Sequence, residues 1–163
     1  MPTMDDVRRE TQEFIRRHWD ISKLDTEESP IWCEYGLTGT CPNEDRPGCY
    51  ALVEGGEVTY IGSGASQGHG IYEGCGLGHR LNGYLQYDRT QPAATLADRR
   101  YKPKPQYTFT SLHTFGFPRV YGYMALALES FLLNRVPTSD NKHRPGGSLS
   151  GTGKASGKVK VNG

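Results

Sequence analysis

The 163-residue sequence has no apolar run approaching the roughly 18 residues needed to span a bilayer, so no membrane partner is expected. The N-terminus lacks a signal peptide's apolar core, because Asp5 and Asp6 precede Arg8 and Arg9, and the expected location is cytoplasmic. The four cysteines, Cys33, Cys41, Cys49 and Cys75, include no Cys-x-x-Cys pair. Free, partly buried thiols are therefore expected ahead of a disulfide framework or a zinc site, for which Cys33, Cys41 and His18 are the nearest approach. No internal repeat is present. Nucleotide-loop signatures are missing too. After Gly62-Ser63-Gly64 the next glycine, Gly68, comes one residue too late for the dinucleotide fingerprint, and Gly153-Lys154 has Ser148 where a Walker loop requires glycine.

What is present is a charge asymmetry. The net charge is only +1, yet residues 1–75 carry 6 Lys/Arg against 14 Asp/Glu, whereas residues 76–163 carry 13 against 4. A basic half of this kind can face phosphates while the acidic half faces away, and solvated surface charge is the bland alternative. After Asp140 there is no acidic residue, only Lys142, Arg144, Lys154, Lys158 and Lys160 among Gly and Ser. That composition reads as a disordered basic tail, or as an arm on a phosphate backbone.

The periodicities predict an α+β domain. Residues 4–19 read as a helix with Val7, Phe14, Ile15 and His18 near one side. Pro30, Gly36, Gly39, Pro42 and Pro47 make 29–47 a loop. Residues 49–53 and 57–61 are strand-like around Gly55-Gly56, 62–78 is glycine-rich, 79–88 is a helix, 106–115 a third strand and 121–135 a buried helix. The expected organisation is an N-terminal helix and loop over 1–47 packed on the core, a core over 48–141 and a tail over 142–163.

Two tyrosine motifs, Gly48-Cys49-Tyr50 and Tyr60-Ile61-Gly62, flank the hairpin with ten residues between the tyrosines. Arg80 and Tyr84 stand at i and i+4 on the next predicted helix, Glu129 lies in the last helix, and Asn141 follows twelve residues later. Over residues 48–141 this arrangement resembles the GIY-YIG nuclease family. The resemblance implies a small three-stranded antiparallel sheet flanked by helices in the order β-β-α-β-α, with the helix of 4–19 added in front. It implies a divalent-metal-dependent endonuclease with catalytic Tyr50, Tyr60, Arg80, Tyr84, Glu129 and Asn141, and Glu129 as ligand to Mg2+ (or Mn2+). The chain departs from the family pattern in one respect: Tyr60 and Arg80 are twenty residues apart, about twice the usual interval, with Ser63, Ser66, Gln67, His69 and Tyr72 in the added stretch.

Each residue type suits such chemistry. A carboxylate is a hard ligand for a hard ion that keeps most of its waters. A guanidinium fork matches a phosphate better than an ammonium does. One tyrosine would deprotonate or orient the attacking water, and it needs a lowered pKa from the metal or Arg80 to do so near neutral pH. Tyr50 is the favoured base, with Tyr60 and Tyr84 positioning water and phosphate, although the resemblance does not decide between them. Asn141 would bond the backbone near the site or fix the helix end. Structural alternatives stand beside these roles: sheet packing for the tyrosines, an ordinary helix face for Arg80 and Tyr84, and for Glu129 an ion pair with Arg135 or Arg119.

The hairpin fixes a condition. A two-residue Gly55-Gly56 turn, with Glu54 facing Glu57, sends Tyr50 and Tyr60 to opposite faces, so a three-residue Glu54-Gly55-Gly56 turn pairing Val53 with Glu57 is expected. Short length favours a type II restriction-type enzyme on double-stranded DNA. Arg99, Arg100, Lys102, Lys104, Lys142 and Arg144 would then bind nucleic acid, and a possible homodimer would cut both strands. A repair, homing or structure-specific nuclease, a ribonuclease and a non-catalytic nucleic-acid-binding module are the alternatives.

Overall fold

A computed structural model describes residues 1–20, 29–65 and 76–141. The tail bearing Lys142 and Arg144, residues Ser66, Gln67, His69 and Tyr72, and Cys75 lie outside the described residues. The elements run α1 (Met4–His18), β1 (Trp32–Tyr35), β2 (Gly48–Glu54), β3 (Glu57–Gly64), α2 (Leu77–Leu81), β4 (Leu85–Tyr87), β5 (Tyr101–Pro103), β6 (Ser111–Gly116) and α3 (Tyr123–Leu133). The class is α+β, with a four-stranded antiparallel sheet ordered β1-β6-β2-β3 and a separate β4-β5 hairpin. Among the described residues, no helix is long and apolar enough to cross a membrane.

α1 begins at a capping box in which the Thr3 side chain and Asp6 satisfy each other's backbone N–H groups, leaving fewer orphan donors at the helix start. Asp5 and Asp6 in the first turn and Arg16, Arg17 and His18 in the last complement the helix dipole. Its buried face is Met4, Val7, Thr11 and Phe14. On β2 the side chains alternate: Cys49, Ala51 and Val53 face α1 and α3 in one core, while Tyr50 and Leu52 face α2 in a second. The strand is therefore covered on both sides, which is why it reads as a near-continuous apolar run.

Four expectations need correcting. The sheet has four strands, not three, because β1 pairs with β6 along Trp32↔Phe115 to Tyr35↔Leu112 inside the segment read as loop. A four-residue strand between Pro30 and Gly36 has little local signal, and its stability comes from its partner. The helix expected over 79–88 ends at Leu81, because the chain turns at Asn82-Gly83, with the Gly83 N–H bonded to the Arg80 carbonyl at 3.1 Å. Tyr84 then leads into β4, so the order after β3 is interrupted by an unforeseen hairpin. The third strand is confined to Ser111–Gly116.

The fourth correction concerns the hairpin. Glu54 pairs with Glu57 across a two-residue Gly55-Gly56 turn, with φ of 59° and 88° at the two glycines, as such a turn requires. The ladder then breaks: Val53 pairs with Val58 but Leu52 with Tyr60, so Thr59 is an extra residue, a β-bulge. From there Tyr50 pairs with Gly62. The bulge shifts the alternation by one and returns Tyr60 to the face of Tyr50. The shared face survives through a bulge and not through the three-residue turn.

Candidate active site

The two motif glycines exist to admit neighbours. A Cβ on Gly62 would lie 2.6 Å from both Cζ and Oη of Tyr50 and 2.8 Å from Cε1 of Tyr60, so only glycine lets the Tyr50 ring lie across β3. A Cβ on Gly48 would meet the Phe115 carbonyl oxygen at 2.0 Å, which fixes β2 against β6.

Tyr50, Tyr60 and Tyr84 form a triangle with ring centroids 5.9 Å (50–60), 5.5 Å (50–84) and 6.0 Å (60–84) apart, and Tyr107 stacks on Tyr84 at 4.8 Å. Tyr50 is fully buried and donates its hydroxyl hydrogen to the Tyr84 hydroxyl at 2.9 Å. Burial, followed by Tyr60 and Tyr84, drives its pKa well above that of a free phenol, although the Arg80 guanidinium beside it pulls the other way. Burial likewise pushes Tyr84 up to about 12. Tyr60 is half-buried. Burial thus works against the role of base expected for Tyr50.

Arg80 leaves α2 beside Tyr50, whose hydroxyl, with those of Tyr84 and Tyr60, holds the guanidinium even more firmly in its charged form. It lines an open cleft of about 440 Å3 with Ser63, Gly64, Ala65, His79, Asn82 and Gly83. The long Tyr60-to-Arg80 interval does not displace Arg80, because the described flanks meet: a Cβ on Gly64 would lie 3.1 Å from the Leu77 Cα. Added residues whose two ends are already adjacent cost little.

Glu129 comes from the opposite side of the sheet. It sits on α3, half-buried, and its Oε2 accepts a 2.5 Å hydrogen bond from Ser63 Oγ, on edge strand β3. The arginines considered as its partners are engaged elsewhere: Arg135 reaches Glu10 at 3.4 Å and stacks over Phe131 at 3.8 Å, and Arg119 reaches Asp45 at 3.4 Å. Asn141 is bound to the same edge. Its Nδ2 donates to the Ile61 carbonyl at 2.8 Å and its Oδ1 accepts from the Ile61 N–H at 2.9 Å, so the amide continues the ladder for one residue.

The structure therefore brings Tyr50, Tyr60, Arg80 and Tyr84 together, with Glu129 joined through Ser63 and Asn141 bracing the edge. Arg99, Arg100, Lys102 and Lys104 lie along the β4-β5 hairpin, where Lys102 Nζ is 3.2 Å from Asp88 and Lys104 Nζ donates to the Asn82 carbonyl at 2.8 Å. Ser63 was seen only as part of a glycine-rich stretch. Alternation from Ile61, which puts both on the α3 face, was the signal that could have singled it out. Cys33, Cys41 and Cys49 are free thiols, and burial raises Cys41 to about 12 and Cys49 well above the usual thiol, leaving both unreactive. Among the described residues, no group of three or more His, Cys, Asp and Glu side chains gathers to hold a metal. Among the described residues, Glu129 would meet an ion without a cluster of further His, Cys, Asp or Glu ligands, an arrangement that suits a water-rich Mg2+ better than zinc.

No protein-family model matches the chain, nor does any curated protein or solved structure.

Proposed function

We propose that the protein is a divalent-metal-dependent endonuclease of the GIY-YIG type that hydrolyses DNA phosphodiester bonds, in the manner of a restriction enzyme. The observation that carries this reading is that Arg80, held against the hydroxyl of buried Tyr50, lines one cleft together with Ser63, which bonds Glu129. Stable packing alone does not call for an arginine beside a tyrosine cluster, or for a half-buried carboxylate bonded to a serine of that cleft.

In this reading Arg80 binds the scissile phosphate and neutralises charge on its non-bridging oxygens. Glu129, held in one orientation by Ser63, offers its carboxylate to Mg2+ or Mn2+, which when bound supplies charge neutralisation at the leaving oxygen. Tyr60, half-buried, orients the attacking water and relays its proton, the phenol oxygen taking the water's hydrogen as its own hydrogen passes to solvent. Tyr50, buried, is a positioning residue that fixes Tyr84 and Arg80. The water oxygen forms the new bond to phosphorus while the bond from phosphorus to the leaving oxygen breaks, and that oxygen ends protonated. Cutting both strands needs two sites, which a homodimer would provide.

The test is incubation of plasmid DNA with the protein and Mg2+, beside EDTA, Glu129→Gln and Tyr60→Phe. Cleavage that needs metal and is lost in Glu129→Gln is expected. Metal-independent cleavage, or equal cleavage by Glu129→Gln, would sink the reading, and no cleavage by any form would favour a binding module.

A further inference from the structure

The β4-β5 hairpin is a projecting arm of residues 85–104 that neither core requires beyond its base. Its strands pair Leu85↔Pro103, Gln86↔Lys102 and Tyr87↔Tyr101, and nearly every residue from 89 to 100 is exposed. An exposed segment of this length is ordinarily held by little, yet this one is tied down. Loop 36–40 runs along it: the Gly39 N–H donates to the Arg99 carbonyl at 2.7 Å, the Tyr101 N–H to the Leu37 carbonyl at 2.8 Å, and Thr38 bridges Arg100. The loop adopts left-handed backbone to do so, with φ of 56° at Leu37 and 68° at Gly39. A leucine in that region carries strain that the surrounding bonds must offset. Tyr35 locks the loop from beneath, its hydroxyl donating to the Gly39 carbonyl at 2.7 Å.

The arm is also rooted in the cleft. The Lys104 N–H donates to the Tyr84 carbonyl at 2.8 Å, and its ammonium bonds the carbonyl of Asn82, a cleft residue. Between residues 85 and 104 lie five Lys/Arg and two Asp. Both carboxylates are engaged within the arm, Asp88 by Thr90 and Lys102 and Asp98 by Thr95, while Arg99 lies over the Tyr87 ring at 5.9 Å.

We propose that this arm reads a groove of duplex DNA beside the cleavage site, with Arg99 and Arg100 on base edges and Lys102 and Lys104 on phosphates. The proposal rests on the nuclease reading for the identity of the polymer, and on the arm for its form. A two-stranded ribbon has the width of a major groove, and arginine is the side chain that most often reads guanine there. A single-strand binder would instead present a row of aromatic platforms, whereas among its described residues this arm exposes one ring, Tyr87. The strain and backbone bonds that hold residues 99–101 are explained by pre-organisation, since a groove reader whose backbone is already fixed loses less entropy on binding.

The test separates binding from cleavage. The full chain in EDTA is mixed with a randomised DNA duplex pool, the bound fraction is sequenced, and affinities for a duplex, its single strand and an RNA duplex are measured against salt. Enrichment of a motif is expected, with Arg99→Ala and Arg100→Ala each lowering it at one or two positions by roughly ten- to a hundred-fold. Lys102→Ala and Lys104→Ala should weaken all sequences alike and reduce the salt slope by about one. Unchanged enrichment in both arginine variants, or binding to single strands or RNA as tight as to the duplex, would overturn the proposal. If the arm variants behave as expected but no form cuts DNA with Mg2+, the nuclease reading fails and the arm stands; if cleavage is intact and indifferent to the arm, the reverse holds.

Discussion

Replacing Gly62 by alanine probes the geometry on which the site depends. The new Cβ would stand 2.6 Å from the Tyr50 ring, about 1 Å inside the separation at which carbon atoms attract. Tyr50 has no exposed surface into which to retreat, so the ring must push on Leu52, Leu77 and Leu81 in the same core. Overpacking of this kind costs about 1–3 kcal/mol. If the shift also breaks the bond from Tyr50 to Tyr84, about 0.5–1.5 kcal/mol is added. Against this, alanine restricts the unfolded chain and returns about 0.4–1 kcal/mol, so the steric term wins and a net loss of about 1–3 kcal/mol is expected. Urea denaturation measures it. A second substitution gives the sharper readout. Tyr50→Leu alone opens a void and destabilises, but it removes the two nearest atoms that the new methyl strikes and leaves Tyr60 Cε1, on a half-buried ring beside the new void, so the double variant should be more stable than the sum of the singles by at least about 1 kcal/mol. Additive losses, or a neutral Gly62→Ala, would refute the account of why this glycine is present.

Three further outcomes are expected. Ser63→Ala frees the Glu129 carboxylate and should raise the Mg2+ concentration for half-maximal cleavage by about 10-fold or more, with Ser63→Thr restoring it; a metal titration of cleavage decides. Asn141→Ala leaves the Ile61 N–H and carbonyl without their edge partner, costing about 1–3 kcal/mol, and hydrogen exchange at Ile61 should accelerate while that at Ala51, inside the sheet, changes less. Tyr50 and Tyr84 keep their protons in the fold above the pH at which an unfolded chain releases them. Both contributions are complete below about pH 10; that of Tyr84 is lost as pH rises through about 12 while that of Tyr50, driven higher by burial, goes on falling beyond it, so stability falls as pH rises above about 10 and Tyr84→Phe should flatten the fall when unfolding is followed against pH.

Several elements were legible because their signals are local. α1 carries its cap at Thr3 and its apolar face in order, and α3 is bounded by Gly122 and the Asn134 turn ahead of Pro137. The tyrosine, arginine and glutamate residues could be picked out by type and spacing alone. β1 was hidden because four residues between Pro30 and Gly36 gain their conformation from β6, more than sixty residues away in sequence. β4 was mistaken for the end of a helix because Tyr84, Leu85 and Tyr87 satisfy either period over so short a span. The i, i+4 argument for Arg80 and Tyr84 therefore reached a true proximity by a wrong route: Tyr84 meets Tyr50 from a turn, not from a helix face.

Alternation and helical periodicity by themselves determined which side chains of β2 go to which core, and which residues are chemically able to serve a phosphate site. Whether Tyr50 and Tyr60 share a face was decided by the Thr59 bulge, and how Glu129 is held was decided by Ser63 arriving from the sheet edge. The reason is the range of the forces involved. Local backbone preference sets the period within an element, whereas register, bulges and the pairing of side chains from distant strands and helices are settled only when those elements pack and each ladder slip would turn a whole face outward.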